Sequence, residues 1–174
     1  MKVDVYNVSR DGMPLEVEVC GEDVGELRPG MTVADNVRFK GRAAQTGDDL
    51  TVRGTAQGMF KATCSRCLVE FTQRFSVSVA VTYVIEAAPG DLIEKDENVG
   101  ERQLSYDGVE IDLVPPVRNE LILEAPVKPL CSLECRGLCP GCGVDLNEEL
   151  CKCEEQTVDP RLAPLKDVLG QLKS

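Results

Sequence analysis

The segment Cys131–Cys153 reads CSLECRGLCPGCGVDLNEELCKC and holds six of the nine cysteines of the chain. Its most specific part is Cys139–Gly143 (CPGCG), because two cysteines separated by two residues can direct both sulfurs at one ion when the backbone turns tightly. The glycines at 141 and 143 permit the positive φ and the close amide approach that such a turn requires. The segment therefore predicts a structural metal site, with zinc as the ion.

The same region is poor in the side chains that form a hydrophobic core. Residues 126–163 contain nine leucines and valines and no larger apolar residue. By comparison, a structural zinc contributes roughly 10–16 kcal/mol in small peptides. We therefore expect the metal to organise this segment, and we expect the segment to be disordered without it. The alternative is a set of reduced, buried cysteines.

The spacing leaves the set of four ligands open. We take Cys139 and Cys142 as one pair. The other cysteines of the segment offer two pairs of partners, namely Cys151 with Cys153, and Cys131 with Cys135. A further possibility adds Cys64 and Cys67, which would complete two sites of four. One zinc ion is expected, and two are possible.

The earlier motif Cys64-Ser65-Arg66-Cys67 is a CxxC between two predicted strands. A redox dithiol normally lies at a helix N-terminus, which lowers the pKa of the thiol. No helical pattern surrounds this motif, so metal ligation or a structural turn is favoured over redox chemistry. A thiol redox or metal-responsive protein that uses Cys64 and Cys67 is the alternative function. Cys20 stands alone.

Alternating apolar and polar residues in the first half predict half-buried strands. The clearest is Phe75–Ile85, and Leu15–Val19 shows the same alternation. Residues 37–45 and 50–57 are also predicted strands, joined by a turn at 46–49. Successive strands with short connections favour an antiparallel sheet or a partly open barrel.

The alternation ends after residue 85. Residues 87–110 are rich in Asp, Glu and Gly, which predicts a mobile acidic loop. A helix is predicted to start near Pro115 and to end at Pro126. Its predicted sheet-facing residues are Val117, Leu121 and Ala125. A short C-terminal helix is predicted from Pro164.

These elements predict an α+β protein: an antiparallel β-sheet or partly open barrel with one packed helix and a zinc-clipped C-terminal segment. Residues 1–125 would form the β-rich domain with its helix. Residues 126–174 would form the cysteine-rich metal-binding segment and the short C-terminal helix.

The sequence shows no apolar leader, and no apolar run approaches the ~20 residues that cross a bilayer. We therefore expect a cytoplasmic protein without membrane partners. Thiols stay reduced in that compartment, so nine cysteines are more naturally metal ligands than disulfides.

Catalysis by histidine is excluded because the chain contains no histidine. No phosphate-binding glycine loop occurs, and a zinc site with four protein ligands leaves no open position for substrate or water. We therefore expect a protein that is not an enzyme and has no small-molecule substrate.

Charge is distributed unevenly around a net value of -11. Residues 91–174 carry 9 positive and 18 negative charges, and such a surface repels phosphate. Residues 37–75 are locally basic, with seven positive and three negative charges. In this stretch the candidate nucleic-acid-binding residues lie on predicted neighbouring strands, and they are Arg38, Lys40, Arg42 and Arg53. The alternative is a solvated strand face.

Three spaced motifs together resemble the YceD family, which is described as large ribosomal RNA subunit accumulation proteins. The motifs are Cys64–Leu68 (CSRCL), Cys135–Asn147 (CRGLCPGCGVDLN) and Asp159–Leu165 (DPRLAPL). The resemblance implies a non-enzymatic factor that supports accumulation or processing of large-subunit ribosomal RNA. The expected partner is that RNA or a basic ribosomal protein. No catalytic residues follow from the resemblance.

Overall fold

The computed structural model describes residues 2–5, 8–47, 49–85 and 102–153. The predictions for residues 87–101 and for the helix from Pro164 lie outside these ranges. Within them, the chain forms eight strands and two helices. The strands are β1 (Lys2–Asp4), β2 (Met13–Val19), β3 (Met31–Val33), β4 (Val37–Thr46), β5 (Asp49–Thr63), β6 (Glu70–Ile85), β7 (Arg102–Tyr106) and β8 (Glu110–Asp112), and the helices are α1 (Gly21–Val24) and α2 (Val114–Glu124).

Most of the strands lie in one open sheet with the order β2-β4-β5-β6-β7. β3 joins this sheet by pairing with the part of β5 that lies beyond its pairing with β4. Every pair in the sheet is antiparallel except β6 with β7, which is parallel. β1 and β8 form a separate antiparallel pair. The predicted α+β class with an open, mainly antiparallel sheet is therefore confirmed.

The central hairpin of the sheet joins the two longest described strands, β5 and β6. They pair without interruption from Leu50 opposite Tyr83 to Thr63 opposite Glu70. Along β6, Phe75, Val77, Val79 and Val81 are buried, and the serines between them are exposed. Strand residues alternate between the two faces, so one face of the hairpin forms core and the other meets solvent. The alternation seen in the sequence predicted this strand, but the strand begins five residues earlier than expected.

Helix α2 covers the buried face of the sheet and packs against β6. Prolines occupy its first turn, where amide hydrogens have no helical partner and proline costs little. Val117 and Leu121 are fully buried, and Ala125 is buried at the end of the helix. All three predicted sheet-facing residues are therefore confirmed. The Arg28 side chain donates a hydrogen bond to the carbonyl oxygen of Ala125 at 3.0 Å and so satisfies a terminal acceptor.

The predicted acidic loop at residues 87–110 is wrong where it overlaps β7. Residues 102–106 form an edge strand that runs parallel to β6, with Leu104 opposite Tyr83. The rings of Tyr83 and Tyr106 meet edge to face with centroids 6.2 Å apart. β7 offers only Leu104 and Tyr106 as apolar residues, so its alternation is too short to stand out from the acidic surroundings.

The chain divides into two compact units, residues 1–65 with 69–131 and residues 66–68 with 132–174. The first unit contains the sheet, both helices and the continuous hydrophobic core. In the described part of the second unit, all buried side chains belong to cysteines, namely Cys67, Cys135 and Cys139. Its leucines 133 and 150 are 87% and 86% exposed. Leu138, Val144 and Leu146 are half-buried, so cysteine sulfurs are the fully buried side chains of this part of the second unit.

Candidate metal centres

Eight of the nine cysteines fall into two groups of four, and within each group the sulfurs all lie within 4.8 Å of one another. The hairpin tetrad consists of Cys64, Cys67, Cys131 and Cys135. The loop tetrad consists of Cys139, Cys142, Cys151 and Cys153. Among the arrangements left open by the sequence, the structure has the one in which Cys64 and Cys67 complete two groups of four. Cys20 is exposed and belongs to neither tetrad.

The distances within the loop tetrad fit a small tetrahedral ion. Four sulfurs at ~2.3 Å from a central zinc lie ~3.8 Å from one another along each edge of the tetrahedron. The sulfurs of Cys142 and Cys151 are 3.8 Å apart, and those of Cys139 and Cys151 are 3.2 Å apart. None of the nine cysteines forms a disulfide. The donor set and its size therefore fit a zinc ion.

In the hairpin tetrad, Cys64 and Cys67 lie in the turn that joins β5 to β6. The backbone N–H of Cys64 donates to the carbonyl oxygen of Val69 at 2.9 Å and closes the turn. Leu68, the residue after the second cysteine, has a φ of 62° and is the only described non-glycine residue with positive φ. This left-handed conformation brings the chain back into β6 directly after the two cysteines.

Cys139 and Cys142 of the loop tetrad lie in a turn with the same hydrogen-bond pattern. The N–H of Cys139 donates to the carbonyl oxygen of Val144 at 2.8 Å, five residues on, as Cys64 does to Val69. The residue after the second cysteine is Gly143, which has a φ of 77°. The N–H of Gly141 points at the Cys139 sulfur at 3.4 Å, which orients this sulfur towards the centre. The predicted role of glycine in this turn is therefore confirmed at Gly143.

Three residues that the sequence analysis did not single out support the cysteines. Arg66 donates from its side chain to the carbonyl oxygen of Cys135 at 2.7 Å and accepts from the N–H of Leu138 at 3.1 Å. Gly137 has a φ of +76°, and a Cβ on this residue would lie 3.0 Å from the carbonyl oxygen of Arg66. The Asn147 side chain accepts from the N–H of Arg136 at 2.7 Å and donates to the Cys135 sulfur at 3.5 Å.

Arg66 and Asn147 both contact Cys135, Arg66 at its carbonyl oxygen and Asn147 at its sulfur, while Gly137 permits the close approach of the chain to Arg66. A hydrogen-bonded sulfur ligand is better oriented, and its charge is partly compensated. Arg66 and Asn147 lie within motifs that carry the resemblance described above, but their spacing alone does not show that they meet the same cysteine. The motifs contain both residues, but their contacts with Cys135 could not be predicted from the sequence.

Crowding of the thiols in the loop tetrad favours a cation. A hydrogen bond from the backbone N–H of Cys142, with others from the Cys151 thiol and from Gly141, lowers the pKa of the Cys139 thiol to about 6. Hydrogen bonds with Cys142 and Cys151 raise the pKa of the Cys153 thiol to about 12. One sulfur is thus stabilised as a thiolate while another is held protonated by its neighbours. Four thiolates can share this space only around a positive charge, which a divalent metal would supply.

The candidate nucleic-acid-binding residues lie on one exposed face of the sheet, but acidic side chains compensate some of them. Lys40 pairs with Glu16 at 2.8 Å, and Arg38 pairs with Glu18 at 3.5 Å. Arg42 donates to backbone carbonyl oxygens on the neighbouring loop and lies directly opposite Arg53 in the β4–β5 register. Two of the four basic side chains on this face are therefore paired with glutamates of β2. An interaction with nucleic acid stays a prediction.

The described helices are short. α2, the longer of them, has 11 residues. No helix in the described ranges is long and apolar enough to cross a membrane.

The chain is similar to a family of proteins and to individual relatives from bacteria and a plant. The model of the YceD family, described as large ribosomal RNA subunit accumulation protein YceD, matches residues 52–169. An uncharacterized protein of Mycobacterium tuberculosis is 33% identical over 129 residues, which are 74% of this chain and 60% of the relative. The match thus spans less than two thirds of that relative's length.

Two further relatives extend the comparison. Uncharacterized protein YlbN of Bacillus subtilis is 30% identical over 157 residues, which are 90% of this chain and 83% of the relative. A chloroplastic protein of Arabidopsis thaliana, named large ribosomal RNA subunit accumulation protein YCED homolog 1, is 31% identical over 64 residues, which are 37% of this chain and 20% of the relative. No solved structure matches the chain.

Proposed function

Because the chain belongs to the YceD family, we propose that it is a non-enzymatic accessory factor for assembly of the large ribosomal subunit. It acts in the cytoplasm and supports accumulation or processing of large-subunit ribosomal RNA. The observation that carries this proposal is the family match over residues 52–169, which includes all eight cysteines of the two tetrads. The matched region thus contains every cysteine of the two candidate metal centres.

We propose further that each tetrad binds one zinc ion, so the chain binds two. Zinc accepts four thiolates in a tetrahedron and has no requirement for an open position in a structural site. The second unit supports this assignment, because the fully buried side chains of its described part are those of cysteines. When bound, the metal supplies the positive charge that four neighbouring thiolates need. The cysteines, Arg66 and Asn147 supply the geometry.

The proposed factor has no catalytic step. A tetrahedral site filled by four cysteines leaves no coordination position for a substrate, and the chain has no histidine to move a proton at neutral pH. The alternative function, redox chemistry at Cys64 and Cys67, gains no support, because these residues are only 0% and 7% exposed. Reactive cysteines are typically accessible to their oxidant.

Depletion of the protein in growing cells tests the ribosomal role. We expect mature large subunits to fall relative to small subunits in a sucrose gradient, and precursors of the large-subunit RNA to accumulate. Expression of the wild-type chain should restore the profile, and so should Cys20→Ser, since Cys20 lies outside both tetrads. A normal subunit profile after complete depletion would contradict the proposal.

The partner in this role is large-subunit RNA or a basic ribosomal protein. The placement of Arg42 opposite Arg53 on an exposed face supports RNA, because neighbouring basic side chains can contact a phosphate group. We expect Arg53→Glu to weaken binding to a transcript of large-subunit RNA and to reduce its salt dependence. Lys128→Glu changes the net charge equally at an exposed residue beyond α2 and is the matched control. Equal weakening by both variants would show that Arg53 makes no specific phosphate contact and would contradict RNA binding through this face.

A further inference from the structure

The two tetrads differ in how far solvent reaches their sulfurs. In the hairpin tetrad, Cys64, Cys67 and Cys135 are 0%, 7% and 3% exposed, and Cys131 is exposed. In the loop tetrad only Cys139 is buried. Its other members divide into one half-buried residue, Cys151, and two exposed residues, Cys142 and Cys153. A dissolved oxidant can therefore reach two ligands of the loop tetrad directly.

The backbones around the tetrads differ in the same direction. Cys64 follows β5, whose ladder with β6 continues to Thr63 opposite Glu70, and the next residue, Ser65, donates to the carbonyl oxygen of Pro129 at 2.8 Å. Cys151 and Cys153 lie outside any helix or strand, and the N–H of Cys153 donates to the Cys151 sulfur at 3.2 Å. Segments with few backbone bonds and little buried apolar surface open most readily.

We propose that the loop tetrad is an oxidant-responsive zinc site, which releases its ion when a low-molecular-weight disulfide oxidises Cys142 and Cys151, while the hairpin tetrad keeps its ion. This inference rests on the proposed binding of zinc. The cysteines that react in this proposal are Cys142 and Cys151, and not Cys64 and Cys67. The distance that supports it is the 3.8 Å between the sulfurs of Cys142 and Cys151.

The chemistry is a two-step exchange of thiolate and disulfide. The exposed Cys142 thiolate attacks one sulfur of the small disulfide, whose S–S bond breaks as a mixed disulfide forms and one small thiolate leaves. The Cys151 thiolate then attacks the Cys142 sulfur, forms the Cys142–Cys151 disulfide and expels the second small thiolate. Two protein thiolates are oxidised by two electrons, and one small disulfide is reduced to two thiols after protonation by water. Zinc leaves because two of its four ligands have lost their charge.

The test uses the full-length chain loaded with zinc under anaerobic conditions and then treated with oxidised glutathione. A chromogenic chelator reports free zinc, and peptide mass spectrometry after alkylation maps the disulfides. We expect release of one of two bound ions together with a disulfide between Cys142 and Cys151. Cys64, Cys67 and Cys135 should remain reduced at that stage. Cys142→Ser should bind one ion at the start and release none on oxidation, while Cys20→Ser should behave as wild type.

Several results would overturn the inference. These are the release of both ions together, formation of a Cys64–Cys67 disulfide before any disulfide in the loop tetrad, or retention of both ions in oxidised glutathione. The wild-type disulfide map decides the question even if Cys142→Ser fails to fold. A chain that binds no zinc when reduced would remove the proposed metal as well, whereas a failure of the ribosomal role would appear only in the subunit profiles after depletion.

Discussion

The turn at Cys64–Val69 and the turn at Cys139–Val144 have the same backbone closure in different surroundings. Both donate a hydrogen bond from the first cysteine to the carbonyl oxygen five residues on, and both have a left-handed residue after the second cysteine. In the first turn this residue is Leu68, and in the second it is Gly143. The same backbone geometry is therefore formed once with leucine, for which a positive φ is unfavourable, and once with glycine, which adopts a positive φ readily.

The difference shows what stabilises each turn. A leucine at positive φ costs roughly 1–2 kcal/mol, and the long β5–β6 ladder is the structure that can offset it. Within the described residues, the turn at Cys139 has no such ladder beside it and is flanked by an isolated bridge between Leu138 and Asp145. Glycine removes the cost there. We infer that the sheet imposes the first turn and that local sequence together with metal imposes the second.

Replacement of one ligand in each turn should give the largest difference between the two turns. Cys67→Ser should reduce bound zinc from two ions to one and lower the free energy of unfolding by roughly 3–5 kcal/mol, because it leaves buried thiolates without their cation. Cys142→Ser should also reduce bound zinc to one ion but leave the unfolding midpoint of the sheet nearly unchanged. Elemental analysis and thermal unfolding measure the two quantities. Equal destabilisation by both variants would contradict the comparison.

A smaller effect is expected where Gly137 approaches Arg66 of the first turn. Gly137→Ala combines strain at φ +76° with a Cβ 3.0 Å from the carbonyl oxygen of Arg66. Gly108→Ala is the matched control, since Gly108 has a φ of +84° and no atom within 4 Å of the added Cβ. We expect Gly137→Ala to cost about 1 kcal/mol more than Gly108→Ala in denaturant unfolding. Equal losses of stability in the two variants would show that a Cβ at residue 137 does not clash with the carbonyl oxygen of Arg66.

Exchange of the left-handed residues tests the comparison most specifically. Leu68→Gly should stabilise the zinc-bound protein by up to about 1 kcal/mol, because it removes strain and a side chain that is 63% exposed. Gly143→Ala should destabilise zinc binding at the loop tetrad by about 1 kcal/mol, since alanine cannot adopt φ 77° without cost. Competition with a chelator of known affinity measures the second change. Destabilisation by Leu68→Gly would mean that the exposed leucine has a contact worth more than its strain.

The smallest effect concerns the loop tetrad after its metal is removed, and it tests whether the turn at Cys139–Val144 persists there or the segment becomes disordered as its sequence predicts. Its Cys139 thiol has a pKa lowered to about 6 by the hydrogen bond from the Cys142 N–H, and its Cys153 thiol has a pKa raised to about 12 by neighbouring thiols. Alkylation requires the thiolate, so the rate at Cys139 should rise as pH increases through about 6, and the rate at Cys153 should keep rising into the alkaline range. Coincident pH profiles for the two residues would contradict this ordering.

The main elements of the fold were predictable because their signals are local. The alternation in residues 75–85, the prolines that start α2 and the spacing of Val117 and Leu121 each reflect one periodicity or one backbone constraint. β7 could not be predicted, because its two apolar residues give too short an alternation and its pairing with β6 is not a local signal. Short strands such as β3 and β8 owe their existence to that kind of pairing as well.

The candidate site was predictable to a similar extent. All eight clustered cysteines were candidates from their spacing, and CPGCG correctly indicated a tight turn. The division into two tetrads was not predictable, because Cys64 lies more than 60 residues before Cys131 and spacing does not report such distances. The role of Arg66 was hidden for the same reason, since it lies 69 residues before Cys135. Asn147 lies only 12 residues after Cys135, but spacing alone does not show that its side chain reaches the sulfur.

One measurement tests most directly whether sulfur and metal replace a hydrophobic interior in the second unit. Protein purified anaerobically and fully reduced is analysed for bound metal, and its thiols are counted with and without chelator. We expect two zinc ions per chain, with Cys20 reactive at once and cysteines of both tetrads becoming reactive after chelation. Folded protein that carries no metal, with its thiol reactivity indifferent to chelator, would contradict this expectation.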